Sequence, residues 1–448
     1  MKLRTIDNFL DVDQRLFAKS VVEDRAIPSC IDGFKPVQRK IVFVANKIWK
    51  NGNEKSMKVF QFGGYVSSMA LYPHGDRSMY DAITYMGQTF KNSLPLLEGY
   101  GQYGSLRVPS AGAPRYIGTK LSKNFRLLYK DFELLENRIE EGYVVEPNFF
   151  LPIVPTLLLN GSPGIAVGYS TNILNRNPVE VVDACIAHLN GKKPKELKPW
   201  LAEFGGTYTR DKENKNKWLI SGVYKVLNTT TVRVTDLPPS ITFEKYEEYL
   251  DSLVDKKVIV DYDNNSSSVV DYVVKFTRTA LKELIESNKL ESVLHINSSE
   301  TENVVTLDEN GRLLQFDKAE DIVPYFCDYR LTWYDKRKKY LIGVLEKELM
   351  VLTNKARFVK SIIDKKLKVN NVPKKEICDW LEANKFDKVS NSFDYLINMP
   401  IYSLTKERYA ELIKERDSKK VELEEMRKKV PSDMYLDDLK SLKKTIKN

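Results

Sequence analysis

The stretch LYPHGDRSMYDAITYMGQTFKNSLPLLEGYGQYGSLRVPSAGAPRYIGTKL, residues 71–121, decides how the chain is read. It holds a His-Gly-Asp turn (His74 to Asp76), a short amphipathic helix with Met79, Ile83, Met86 and Phe90 on its inner side, a glycine-rich loop, and the pair Arg115-Tyr116. Asp76 is placed to cap that helix, because a side-chain oxygen there can accept from an otherwise unpaired N–H of the first turn. Upstream, Pro36 suits the first position of another helix, where the N–H it lacks would have no intrahelical partner. Val37, Ile41, Val44 and Ile48 follow at four-, three- and four-residue steps, one buried stripe, and Lys35, Arg39, Lys40 and Lys47 lie off it. A first helix is expected from Ile6 to Asp24, with Phe9, Leu16, Phe17 and Val21 apolar; Arg25-Ala26-Ile27-Pro28 ends it, since the residue before a proline is pushed out of the helical region. Short helices followed by a glycine-rich ribbon point to a helix-turn-helix or winged-helix module. Any small helical domain with a basic face shares that pattern.

With 448 residues the chain exceeds one ordinary core, and several domains are expected. Its formal net charge of +9 favours a polyanionic partner. Cys30, Cys185, Cys327 and Cys378 are far apart with no CxxC, and His74, His188 and His295 are scattered, which argues against a zinc site of Cys and His. No apolar run approaches the ~20 residues that span a bilayer. The start, MKLRTIDNFLDVDQ, lacks an apolar signal core, so a cytoplasmic location is expected. The glycine-rich run Gly161 to Gly168 is not followed by the lysine of a phosphate loop, and no GxxxxGK[ST] occurs, so the run reads as tight backbone packing and no ATPase signature is present. Asp261-Tyr262-Asp263 could bind Mg²⁺, but Asn264-Asn265-Ser266 follows, and a strand ending in a turn is the simpler reading.

Phe149 to Asn160 reads as a buried, proline-punctuated connection. Between residues 205 and 320, strand-like segments (Trp218 to Val226, Thr230 to Val234) alternate with helix-like ones (Phe243 to Val254, Arg278 to Ser287), and Asp308-Glu309-Asn310-Gly311 marks a hairpin turn between Val304 to Leu307 and Arg312 to Phe316. From about Tyr329 to Lys366, Ile342, Leu345, Leu349, Leu352, Ala356, Val359 and Ile363 form a heptad seam. An apolar patch follows around Trp380, Phe393, Tyr395, Leu396, Met399 and Ile401. A second helix from about Thr405 to Lys429 carries Tyr409, Leu412, Leu423, Met426 and Val430, with polar Arg416 and Lys419 in mid-seam. Two long helices with a globule between them make an antiparallel hairpin whose knob suits self-association. The fold class is therefore α+β and multidomain.

A tyrosine hydroxyl, with a pKa near ~10, is a poor nucleophile at neutral pH. To attack a phosphodiester it needs help losing its proton, and positive charge on the non-bridging oxygens. Arg115 sits beside Tyr116, and His74 and Arg25 could reach the same phosphate from other helices. A phosphotyrosine ester conserves the bond energy, which favours breakage with rejoining over hydrolysis. His74-Gly75-Asp76-Arg77 also matches the short HxxR element of tyrosine recombinases, with Tyr116 downstream, so a recombinase-like strand transferase is one alternative. A non-enzymatic, architectural winged-helix protein is another.

The first reading is carried further by ordered blocks: Arg25 to Pro28, Asp32 to Lys40, Tyr72 to Asp76, Tyr80 to Ala82, Gly99 to Ser105, Ala113 to Tyr116, Asn160 to Gly168 and Thr171 to Ile173. With these the chain resembles the breakage-rejoining subunit of type IIA DNA topoisomerases, the lineage of gyrase A and its topoisomerase IV counterpart, over nearly its whole length. The resemblance implies a winged-helix DNA-binding and cleavage domain over residues 1–148, an α/β tower over 149–326, and a coiled coil over 327–448 with a dimerising C-gate globule at about 370–403. It makes Tyr116 the nucleophile of a transient 5′-phosphotyrosyl link, in a double-strand break through which a second duplex passes. Arg115, Arg25 and His74 would stabilise the phosphate, Lys35, Arg39 and Lys40 would grip the DNA backbone with Arg77 facing DNA, and Ile173 would wedge between base pairs. Mg²⁺ and ATP would be held by a separate polypeptide, and two copies of this chain would join through the C-gate and winged-helix domains. Tyr72 replaces the first histidine of the family's two-histidine block, and Arg77 stands where gyrases carry a serine that helps hold quinolone drugs, which argues against sensitivity to them. The chain ends near the coiled coil, where gyrase continues into a DNA-wrapping domain, so relaxation and decatenation are expected rather than active supercoiling. Together with Leu121 to Phe125 and Leu128 to Asp131, this most resembles the medium subunit of T-even-type phage topoisomerases, which would place it in the host cytoplasm.

Overall fold

The computed structural model describes Ile6, residues 9–50, Gly52 and residues 54–447. Helix α1 (Arg15–Val21) lies between π-helical segments Phe9–Gln14 and Val22–Ala26. Its expected apolar positions Phe9, Leu16 and Phe17 are exposed, so this segment does not bury the anticipated stripe. Asp7 and Asn8 of the expected helix lie outside the described residues.

Helix α2 (Pro36–Ile48) starts at its proline, with the Lys35 N–H held by Gln38 Oε1 at 2.9 Å, and it buries Ile41 and Val44 as the periodicity requires. Helix α3 (Val59–Met69) carries no clear periodic signal in the sequence, because Gly63-Gly64 interrupts it. Packing requires the first of these glycines: a Cβ on Gly63 would lie 2.4 Å from Cε1 of Tyr80, which stands on helix α4 (Asp76–Gly87). Gly75, not Asp76, is the N-cap of α4. Asp76 sits inside the first turn, where its charge complements the positive end of the helix dipole. Met79, Ile83 and Met86 are buried in the helix, and Phe90 is buried beyond its end.

A three-stranded antiparallel sheet closes this trio in the order Met57–Lys58, Gly118–Leu121, Leu97–Tyr100. The glycine-rich loop between the last two strands is the wing, and it turns at Gly101 and Gly104, whose φ values are +92° and +83°. Arg107, in this loop, is buried against the strand–helix connection after Thr231–Asp236. Its Nη1 donates to the carbonyls of Pro238 (2.8 Å) and Ile241 (2.9 Å), and its Nη2 reaches Asp236 Oδ1 (2.6 Å).

The chain forms two compact units, Met1–Arg330 with Leu436–Asn448, and Leu331–Tyr435. The expected winged-helix and tower boundary falls within the first unit. There, strands Val223–Val226, Thr231–Asp236, Tyr272–Lys275 and Asp261–Asn264 form one sheet in that order. Its core joins Val232, Val234, Tyr272 and Val274 to Tyr246 and Leu250 of helix Phe243–Asp255 and to Leu281 of helix Arg278–Glu286. The expected strand Trp218 to Val226 is divided: Lys217–Ser221 pairs instead with Thr207–Arg210 and Asn297–Thr301. Phe149 to Asn160 is largely buried, as expected. Asp261 and Asp263 lie in a strand opposite Lys275, whose Nζ is 3.7 and 2.9 Å from them.

In the second unit, Leu345, Ala356 and Val359 of the heptad seam are buried on the helix Ile322–Ile363. The returning helix Lys406–Lys428 is capped by Thr405, whose Oγ1 accepts from Arg408 N, and it buries Leu412 and Leu423. The polar mid-seam is satisfied across the pair by Lys419 and Glu348, 2.9 Å apart. Val430 is exposed rather than on the seam, because the helix has ended and Pro431 opens another, Pro431–Lys447. The globule packs Leu367, Ile377, Leu381, Phe386, Phe393 and Leu396 together. Ile401 and Tyr402, just after it, are 87% and 81% exposed. Among the described residues no helix is long and apolar enough to cross a membrane.

Candidate functional site

Tyr116 lies in a turn immediately before the central strand of the winged-helix sheet, and its side chain is 70% exposed. The turn closes through Tyr116 N donating to Ala113 O at 2.8 Å. It is stitched to the start of α3: Phe60 N donates to Pro114 O and Val59 N to Ile117 O, both at 3.1 Å, and Lys58 Nζ donates to Tyr116 O at 2.7 Å. The Arg115 guanidinium is 5.6 Å from the centroid of the Tyr116 ring. Arg115 also lines a cleft of about 970 Å³ with Arg77, Lys91, Asp81 and Phe60. The nucleophile candidate is thus an exposed phenol on a fixed backbone, at the edge of a cleft with three cations.

His74 and Arg77 are exposed around the start of α4. Tyr72, the replacement for a histidine, packs edge-on against His74 with ring centroids 5.4 Å apart, and its hydroxyl is 3.0 Å from Ser78 Oγ. Arg25 is exposed at the end of the π-helical segment Val22–Ala26. Among the described residues, neither Arg25 nor His74 is hydrogen-bonded to Tyr116. The fold therefore pairs Arg115 with Tyr116 and leaves the other two expected phosphate ligands on separate elements.

The three cations expected to grip DNA are all engaged within the chain. Lys35 Nζ donates to Pro163 O at 2.5 Å, and burial holds its pKa below the ordinary lysine value. Arg39 lies 2.7 Å from buried Asp32; burial alone would pull its pKa down, but the carboxylate outweighs this and raises it. Lys40 is buried, with Nζ 2.7 Å from Ala70 O and 3.0 Å from Glu146. It cannot grip a backbone in this fold, because its charge is spent on an internal carboxylate.

Ile173 also departs from expectation. Strands Ser162–Ile165 and Ser170–Ile173 form a hairpin in which Ser162 pairs with Ile173 and Ile165 with Ser170. Ile173 is therefore at the closed base, 2% exposed, with no surface to offer a duplex. Ile165, near the turn, is 89% exposed. The hairpin is held from both sides. A Cβ on Gly164 would lie 2.3 Å from Ala26 O, so only glycine admits that approach. Asn172 and Asn303 exchange backbone hydrogen bonds at 2.9 and 3.0 Å. Sequence reasoning also missed Lys58 and Lys91; the run Gly161 to Ile173 would have exposed Ile165 had it been read as two strands of alternating faces.

Among protein families, that of the DNA gyrase/topoisomerase IV A-type subunits matches residues 25–441. The chain belongs to that family.

The match of this gyrase/topoisomerase IV family member runs from Arg25 through the winged helix and the α/β region into the last helix. The chain is 34% identical to DNA topoisomerase 2-alpha of Gallus gallus over 476 residues, covering 97% of this chain and 30% of that protein. It is 33% identical to DNA topoisomerase 2-beta of Mus musculus over 482 residues, with the same shares. The fold superposes on the topoisomerase II DNA-binding, cleavage and re-ligation domain of Plasmodium falciparum with a TM-score of 0.84 and 31% identity, over 96% of this chain and 62% of that one. The chain thus spans about 30% of the length of these curated relatives.

Proposed function

We propose that this chain is the DNA-cleaving and rejoining part of a type II DNA topoisomerase. The observation that carries this is Tyr116, an exposed phenol held on a pinned turn with Arg115 beside it. Tyr116 Oη attacks the phosphorus of a DNA phosphodiester. The bond from phosphorus to the 3′ oxygen breaks, the 3′ end leaves as a hydroxyl, and the 5′ end remains esterified to the tyrosine. Arg115 places positive charge where the non-bridging oxygens gain negative charge, and Arg25 and His74 join it from their separate elements once DNA spans them. Rejoining is the reverse attack by the 3′ hydroxyl. Because the ester keeps the bond energy, the strand reseals without a further energy source.

Among the described residues no group of three or more His, Cys, Asp or Glu could hold a metal ion. In this reading Mg²⁺ and ATP belong to a separate polypeptide, and two copies of this chain supply two Tyr116 nucleophiles to opposite strands. Residues 1–148 cleave, 149–326 support the bent duplex, and 327–448 close the exit through the globule. Ile165 replaces Ile173 as the wedge, an apolar side chain suited to enter a base step. Arg77 and Lys91 join Arg115 in facing DNA. Lys35 and Arg39 shape the surface that DNA meets. The blocks Leu121 to Phe125 and Leu128 to Asp131 support placement beside the medium subunits of T-even-type phage topoisomerases, acting in the host cytoplasm.

The test is denaturant trapping of a covalent adduct, with Mg²⁺ and a candidate ATPase partner supplied. The chain should be found on the 5′ end of the break, and Tyr116→Phe should bind DNA yet give no adduct. A 3′-linked adduct would favour the recombinase-like reading, and full adduct yield from Tyr116→Phe would remove Tyr116 from the chemistry.

A further inference from the structure

The turn bearing Tyr116 is held almost wholly by main-chain bonds. Ala113 O accepts from Tyr116 N at 2.8 Å and Ile117 N at 3.4 Å, Pro114 O accepts from Phe60 N, and Ile117 O accepts from Val59 N. The carbonyl of Tyr116 itself is held by a side chain, the Lys58 ammonium, at 2.7 Å. Lys58 pairs with Gly118 through the strand register, so its backbone is fixed two residues beyond the tyrosine and its side chain returns across the turn. The phenol is mostly exposed. Its direction is therefore set by the two peptide planes that flank it: Tyr116 N, bonded to Ala113 O, fixes the plane before the residue, and Lys58 fixes the oxygen of the plane after it.

We infer that Lys58 is a positioning residue for the Tyr116 nucleophile, an inference that rests on Tyr116 being the attacking group. Near-attack geometry requires the reacting oxygen to come within about 3–3.5 Å of phosphorus and in line with the leaving oxygen. A charged donor on the carbonyl holds the plane more firmly than a neutral one would. An ammonium has three donors, and this contact uses one. The other two remain for a DNA phosphate, so the same group that orients the tyrosine can also register the backbone it attacks.

The experiment measures adduct formation in a single turnover at saturating duplex, using the full chain with its metal-binding and ATPase partner. Lys58→Met should slow the first-order step by about 10- to 100-fold, while DNA affinity changes only by the loss of about one phosphate contact in the salt dependence. Lys58→Arg, which can still donate to the carbonyl, should recover most of the rate. A Lys58→Met rate within about twofold of wild type at saturation, far short of a misplaced nucleophile's cost, would overturn the inference. So would failure of Lys58→Arg to recover any rate while its thermal midpoint is unchanged. Tyr116→Phe runs alongside: an adduct from that variant refutes the nucleophile, whereas its absence with an unaffected Lys58→Met refutes the positioning role alone.

Discussion

Arg39 and Asp32 form a buried two-pronged ion pair, with Nε 2.7 Å from Oδ2 and Nη2 3.1 Å from Oδ1. Asp32 also accepts from Phe34 N at 3.0 Å and Phe150 N at 3.1 Å, while its carbonyl accepts from the Tyr129 and Thr156 hydroxyls, both at 2.8 Å. One aspartate therefore joins the turn before α2 to the buried connection after the Tyr143–Pro147 strand. Asp32→Asn would leave the Arg39 charge buried without its partner. The expected cost is about 3–5 kcal/mol, read as a lower urea midpoint with an unchanged slope.

Lys40 and Arg77 should separate structure from binding. Lys40→Met removes one of two cations from the buried Glu146 carboxylate, which keeps Arg138 Nη2 at 2.5 Å, so stability should fall by about 1–3 kcal/mol with the salt dependence of DNA binding unaltered. Arg77→Ala should leave the thermal midpoint in place and lower the salt slope by about one phosphate contact. Fluorescence anisotropy over a salt series, beside thermal melts, checks both.

Ile165 and Ile173 should respond in opposite ways. Ile165→Ser removes an exposed side chain, so stability should move by no more than about 0.5 kcal/mol, while the bend angle from end-to-end energy transfer in a bound duplex should drop. Ile173→Ala empties a buried site and should cost about 2–5 kcal/mol. An unchanged bend in Ile165→Ser would remove the wedge.

Ile401 and Tyr402 present a bare apolar surface beside a packed globule. Ile401→Asp with Tyr402→Asp should weaken dimers in sedimentation equilibrium by at least about tenfold, as loss of interface anchors of about 2 kcal/mol does. The melting of the helix pair should be unaffected.

Regular patterns were the readable part of this chain. The α2 stripe and the heptad seam repeat one physical demand several times, so single exceptions do not hide them. Helix α3 was hidden because Gly63, which lets Tyr80 approach, weakens the helical signal at the point where packing needs it. Lys40 could not be told from a DNA-facing lysine, since its partner Glu146 is remote in sequence and meets it only through the fold. The proposed wedge position turns on register: strand pairing puts Ile173 at the hairpin base and Ile165 near its turn, and composition is blind to that distinction. Tyr116 stands out in the sequence as the candidate nucleophile because its neighbours form a chemical set, whereas Lys58, which contacts only a carbonyl, carries no such signature.

The Arg107 clamp has a mechanical meaning. Its guanidinium is gripped by Asp236 and three carbonyls of the neighbouring sheet connection, those of Leu237, Pro238 and Ile241, and its own carbonyl accepts from Phe243 N at 3.2 Å. The wing is thus bolted to the α/β sheet rather than hung from its own strands. A load on that sheet would pass through this clamp into the wing loop, which leads directly to the turn carrying Tyr116. In the proposed function, strain in a duplex carried by that sheet would therefore reach the seat of Tyr116 through this one guanidinium.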